Sequence, residues 1–161
     1  MIIFLYNSID INFNYCYNLS ILFVIEKPKE IHLATWRDMF MKSQERRNHE
    51  GCDFDLFWAS ALKEDCYAFC AKNDGEFLGF AVACLSNTFI EKYIHLEVLF
   101  VDPNYRKMGV GRALLNKVEE ISSTLGLNFY IERVEKTNLI AQRLLNDYQK
   151  IDFMIYKKKF N

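Results

Sequence analysis

Two groups of residues in this chain could do chemistry. The first is Arg106, Lys107, Gly109, Gly111 and Arg112, set in one short stretch between the apolar run Tyr93 to Val101 and a helical pattern from Ala113 to Glu120. A strand, a basic loop with glycines and a helix start together make an anion site. The first N–H groups of a helix have no internal acceptor, and they point outward with the positive end of the helix dipole. Glycine lets a ligand come close to such a backbone, and two of the chain's six glycines sit here. The second group is His95 and Glu97, two residues apart in the strand before the loop. Strand alternation puts both on one face, where either could take a proton from a reacting group.

The loop can be sorted among phosphate-binding patterns. A triphosphate loop needs Gly-Lys-Ser/Thr after its spacer, and the chain has none. A dinucleotide loop needs a third Gly or Ala three residues after the second glycine, and Leu114 stands there. Its glycines also follow the strand directly, whereas seven residues separate Val101 from Gly109 here. Neither pattern fits.

Composition limits the remaining classes. With 161 residues and a formal net charge of −1, the chain is expected to be one domain with no global field for nucleic acid or an acidic membrane. Anion recognition must therefore be local. The five cysteines, Cys16, Cys52, Cys66, Cys70 and Cys84, form no CxxC pair and are odd in number. This predicts free thiols in a reducing cytoplasm, with Cys84 as core filling, and no metal site. Met1 to Leu5 is apolar but brief and has no basic residue before it, unlike a signal peptide. No stretch reaches the roughly 18 apolar residues of a membrane span.

Residues 1–18 are an unassigned N-terminal extension, and residues 19–161 are expected to form the domain. Ile21 to Ile25 reads as a strand. Pro28 opens a helix with Ile31, Ala34, Thr35, Met39 and Phe40 on its apolar face, followed by a polar stretch from Lys42 to Gly51. A second helix starts near Asp53, with Phe54, Phe57, Trp58 and Leu62 on one side. Asn73-Asp74-Gly75-Glu76 joins two strands, Tyr67 to Ala71 and Phe77 to Leu85, as a hairpin. Gly79 marks a bulge or a close backbone approach. In Tyr93 to Val101 the alternation predicts Ile94, Leu96, Val98 and Phe100 facing the core, with His95, Glu97, Leu99 and Val101 opposite. Gly126 caps the next helix. Phe129 to Ile131, a helix from Asn138 to Asp147 and a last strand, Phe153 to Tyr156, complete an α/β order with a mixed sheet.

Arg106-x-x-Gly109-x-Gly111 resembles the Arg/Gln-x-x-Gly-x-Gly/Ala motif of the GNAT superfamily of acetyl-CoA-dependent N-acetyltransferases. Leu99-Phe100-Val101-Asp102-Pro103-x-Tyr105 is similar to that family's strand-to-loop passage, Asp74-Gly75-Glu76-x-x-Gly79-Phe80 to its central hairpin, and Asn138-x-x-Ala141 to its later helix. The resemblance spans about residues 20 to 156. It implies the GNAT fold, a mixed and mostly antiparallel sheet flanked by helices, with acetyl-CoA as co-substrate. It also implies that amides from Lys107 through Met108, Gly109, Val110 and Gly111 to Arg112 bind the CoA pyrophosphate, with Arg106 and Lys107 adding charge. The backbone of Leu99, Phe100 and Val101 would pair with pantetheine, and Asn138 would belong to the cofactor site.

The same resemblance implies a general base near His95 and Glu97, because a protonated amine cannot attack a thioester. Glu97 is the first candidate and His95 the second. The tyrosine that commonly protonates the leaving thiolate is missing from its usual place, where Leu145 stands, and Tyr148 lies about one turn further on. Glu50, Asp53 and Asp55 beside Phe54, Phe57 and Trp58 would suit a cationic acceptor. A helix cap and an ordinary core face explain the same residues. The expected activity is acetyl transfer directly to a primary amine of a small molecule. A protein N-terminus or lysine is the second choice, and a non-catalytic acyl-CoA-binding module is the alternative from another class. A homodimer is compatible with this reading.

Overall fold

A computed structural model of the chain describes residues 23–27, 29, 33–45, 53–131, 134 and 138–150. Within them, β1 (Val24–Glu26) precedes α1 (Leu33–Glu45) and α2 (Phe54–Ala61). Three strands follow, β2 (Cys66–Asn73), β3 (Glu76–Asn87) and β4 (Lys92–Val101). Then come α3 (Val110–Leu125), β5 (Asn128–Tyr130) and α4 (Leu139–Leu144). The sheet order is β1-β2-β3-β4-β5, antiparallel except for the β4–β5 pair, which α3 connects in parallel. The expected mixed sheet flanked by helices is therefore present. Pro28, Ile31, the 1–18 extension and the Phe153 to Tyr156 strand lie outside the described residues.

The sheet separates two cores. On one face, Trp36, Met39 and Phe40 of α1 and Phe54 and Ala61 of α2 pack on Ala68, Cys70, Phe80, Val82, Val98 and Phe100. This layer is aromatic, with Trp36 5.0 Å from Phe80 and Phe40 4.4 Å from Phe57 between ring centroids. Burial of each such side chain contributes roughly 1.5–3 kcal/mol. On the other face, Val110, Leu114 and Val118 of α3 repeat every four residues and pack on Phe69, Ala71, Leu78, Ala81, Ala83 and Ile94.

Several expectations are corrected in detail. The buried stripe of α1 is Trp36, Met39, Phe40 and Ser43, while Ala34 is exposed. A helix docked on aromatic residues turns its largest ring inward. Leu62 is likewise exposed, and Ala61 takes the core position in α2. Helix α4 ends at Leu144, earlier than Asp147. The β2–β3 turn is as expected, with Asp74 at φ 47° and Gly75 at φ 83°, the two left-handed residues of a type I′ turn.

The cysteine reading needs a larger correction. Cys66 and Cys84 face one another across β2 and β3, with Cα atoms 4.1 Å apart, and their sulfurs are bonded. A separation of 18 residues hides a cross-strand pair that only the register creates. Among the described residues Cys70 is the free thiol. Burial first, and then the nearby Glu26 charge, push it up to about 12, so it stays protonated and inert.

Candidate active site

Glu97 lies at an irregularity in β4. Val98 opposes Val82 and Leu96 opposes Ala83, so Glu97 is the extra residue of a β-bulge. The bulge overturns the simple alternation. Ile94, Leu96, Leu99 and Val101 pack on the α3 side, whereas Val98 and Phe100 pack under α1 and α2. An inserted residue moves every later side chain to the opposite face. His95, directly across from Cys84, shares the α1/α2 side of the sheet.

His95 and Glu97 nonetheless meet. His95 Nε2 lies 2.6 Å from Glu97 Oε1, and its Nδ1 lies 2.9 Å from Ser86 Oγ. The imidazole is 15% exposed and the carboxylate 57% exposed, so the ring is held while the acid faces solvent. Ser86 was not among the expected site residues. Its place follows from the β3–β4 pairing, which brings residue 86 diagonally beside residue 95. Tyr93 and Tyr130 flank the same patch, their rings 4.9 Å apart, and Tyr130 donates its hydroxyl to Glu91.

Among the described residues, strand β5 pairs with β4 at Tyr93, Ile94 and His95. From Leu96 to Val101, among the described residues, that edge of β4 has no ladder partner. An extended ligand could hydrogen-bond there as an added strand does. The open edge begins at the level of Glu97. Leu99 and Val101 are half-buried against the α3 side and Phe100 is buried.

The edge leads to the loop. Asp102 accepts from the Asn104 N–H at 3.0 Å and pairs with Lys42 of α1 at 3.1 Å, which ties the loop to the helical layer. Burial opposes ionisation of Asp102, but the Asn104 hydrogen bond and Lys42 outweigh it and hold the carboxyl below its ordinary value. Arg106 Nε donates to the Val101 carbonyl at 3.1 Å, fastening the loop to the strand end. Lys107 at φ 63° and Gly109 at φ 84° are both left-handed. Alternation of such residues turns successive N–H groups into a concave anion nest. Gly109 begins α3 with no side-chain cap, so the N–H groups of Val110, Gly111 and Arg112 lack the usual internal partner. A Cβ on Gly109 would meet nothing within 4 Å. Space and donors thus coincide, while Met108 is exposed and Val110 is buried.

Other expected residues have structural partners. Arg112 reaches the Leu144 carbonyl and Asp147 and joins α3 to α4. Asn138 caps α4 by accepting from the Ala141 N–H at 3.1 Å. Tyr148 packs against Phe129 and donates its hydroxyl to Glu119. Burial and the Glu119 hydrogen bond raise its ionisation far above the ordinary phenol range, so it stays a phenol. Asp53 accepts from the N–H groups of Asp55 and Leu56, and Asp55 pairs with Arg37 at 2.9 Å. Those two carboxylates are a cap and a surface pair. Glu50 lies outside the described residues.

The model of the acetyltransferase (GNAT) family matches residues 30–149. The chain belongs to the GNAT acetyltransferase family. No curated protein matches the sequence. Among solved structures, the chain is similar to the aminoglycoside N-acetyltransferase AAC(6')-Iy in complex with CoA, with TM-score 0.73 and 21% identity over 89% of this chain and 99% of that one. It is also similar to a possible acetyltransferase from Clostridium difficile 630, with TM-score 0.70 and 15% identity over 86% and 98%. The aminoglycoside 6'-N-acetyltransferase AAC(6')-IG from Acinetobacter haemolyticus gives TM-score 0.67 and 15% identity over 85% and 98%. At these identities the likeness is one of GNAT fold. Among the described residues no helix is long and apolar enough to cross a membrane, and no group of three or more His, Cys, Asp or Glu could hold a metal.

Proposed function

We propose that this GNAT acetyltransferase moves the acetyl group of acetyl-CoA directly to a primary amine of a small molecule. The observation that carries the reading is the position of Glu97. It stands on a bulge where β4 loses its β5 partner, at one end of an open edge whose other end is the uncapped start of α3. The uncapped amides and the left-handed Lys107 and Gly109 fit a pyrophosphate. The free edge of Leu99 to Val101 fits an extended amide-bearing arm. Bound there, acetyl-CoA supplies an acyl thioester close to Glu97.

The chain's own residues then do the rest. Glu97, half-exposed and negatively charged, attracts the ammonium form of the acceptor and removes its proton as attack proceeds. His95 orients that carboxylate from a fixed position. Tyr148 spends its proton on Glu119, so the leaving thiolate takes its proton from water. The likeness to aminoglycoside N-acetyltransferases and the Glu97 charge support polyamines and amino sugars as the first acceptors to try.

The test is acetyl-CoA turnover against polyamines, aminoglycosides, amino acids and peptides, with products identified by mass spectrometry. A mass gain of one acetyl group on a small amine is the expected result. Transfer to peptides alone would move the assignment to a protein acetyltransferase. CoA binding without transfer to any amine would leave an acyl-CoA-binding module.

A further inference from the structure

His95 sits between two unlike partners. A carboxylate only accepts, so the proton on the 2.6 Å contact with Glu97 belongs to His95 Nε2. A neutral imidazole then has a bare Nδ1. The atom facing it, at 2.9 Å, is Ser86 Oγ, which can donate. The other groups around the ring are Tyr93 at 6.2 Å between centroids on the same strand, Cys84 directly across on β3, and Tyr130 opposite on β5. Tyr130 is turned to Glu91, and Cys84 is bonded to Cys66.

We propose that the Glu97 carboxylate sets His95 as its Nε2–H tautomer and that Ser86 is the positioning residue that anchors the ring at Nδ1, which together make Glu97, not His95, the base. The inference rests on the N-acetyltransferase reading and deepens it. With Nε2 protonated, His95 has no lone pair directed toward the Glu97 side of the site. It donates one hydrogen bond to Oε1 and leaves Oε2 of Glu97 to receive the proton of the amine. Ser86 acts through His95 and touches no substrate. Loss of its hydroxyl leaves Nδ1 without its donor and unpins the ring, so the Nε2–H bond to Oε1 loosens. Glu97 is then free to swing. The half-exposed side chain gains this order from a part-buried neighbour, as metal-bound histidines gain theirs from an outer partner.

Nitrogen-15 spectra of the histidine rings in the whole protein read the tautomer directly, at a pH above the ordinary histidine value of about 6.5. His95→Gln assigns the signal against His32 and His49. Wild type is expected to show the Nε2–H form with a hydrogen-bonded Nδ1, and Ser86→Ala an Nδ1 signal shifted by the loss of that bond. In turnover, Ser86→Ala is expected to lower kcat by about 10-fold, part of the ~10²–10⁴-fold a positioned base contributes, with KM for acetyl-CoA unchanged. Ser86→Thr keeps the hydroxyl and should restore both signals. An Nδ1–H signal in wild type overturns the proposal, as does a Ser86→Ala protein with unchanged spectrum and kcat. Absence of transfer to any amine would refute the N-acetyltransferase reading instead, and the ring spectrum would still decide the tautomer.

Discussion

Gly79→Ala should weaken both the fold and the hold on acetyl-CoA, for one geometric reason. A Cβ at residue 79 would stand 2.6 Å from the Phe100 carbonyl oxygen, 3.2 Å from Val101 Cα and 3.4 Å from Leu114 Cδ1. Two of the three are backbone atoms in β4, directly across the ladder, where Gly79 pairs with Val101. Ordinary contact begins near 3.4 Å, so the strands must part by about 0.8 Å. Overpacking of this kind costs about 1–3 kcal/mol. A cost of about 2 kcal/mol corresponds to a Tm lowered by roughly 4–8 °C at this chain length. The displaced segment is the end of the open edge and the anchor of the Arg106 side chain. KM for acetyl-CoA is therefore expected to rise severalfold, with a smaller change in kcat. Circular dichroism melts and initial rates at varied acetyl-CoA measure both. Gly126→Ala is the control. Its Cβ meets nothing within 4 Å and the residue is far along α3. It should cost about 1–2 kcal/mol of left-handed strain and leave KM alone. If Gly79→Ala melts with wild type and binds acetyl-CoA equally well, the contact does not brace the strand end as argued.

Glu97→Gln removes the proton acceptor while keeping an oxygen for His95. It should lower kcat by about 10²-fold, or about 2.7 kcal/mol of barrier, without moving Tm, and full turnover would exclude Glu97 from the mechanism. Tyr148→Phe should retain kcat within about threefold and lose about 1 kcal/mol of stability with the Glu119 bond; a loss of 10²-fold would instead make Tyr148 the acid. Asp102 has its folded ionisation held below the ordinary 3.8. Its stabilising contribution is present above that value and disappears as pH falls through the lower folded one. Urea midpoints of wild type and Asp102→Asn should therefore differ at neutral pH and converge in acid, and a gap that persists in acid would refute the ion-pair account.

The local chemistry of the chain was readable from residue order alone. The type I′ turn follows from Asp74-Gly75, the α2 cap from Asp53, the end of α3 from Gly126, and the loop-to-helix passage from the Arg106 to Arg112 stretch. Each is set by neighbours a few residues apart, through left-handed backbone, side-chain caps and the helix dipole. Tertiary structure decided what depends on register and packing. A one-residue bulge at Glu97 moved Leu99 and Val101 to the α3 side, against the alternation. Strand pairing joined Cys66 to Cys84 and placed Ser86 beside His95. Docking of α4 turned Tyr148 to Glu119 and Arg112 to Leu144. A side chain's neighbours across a sheet change with every slip of one residue, and no local pattern records that slip.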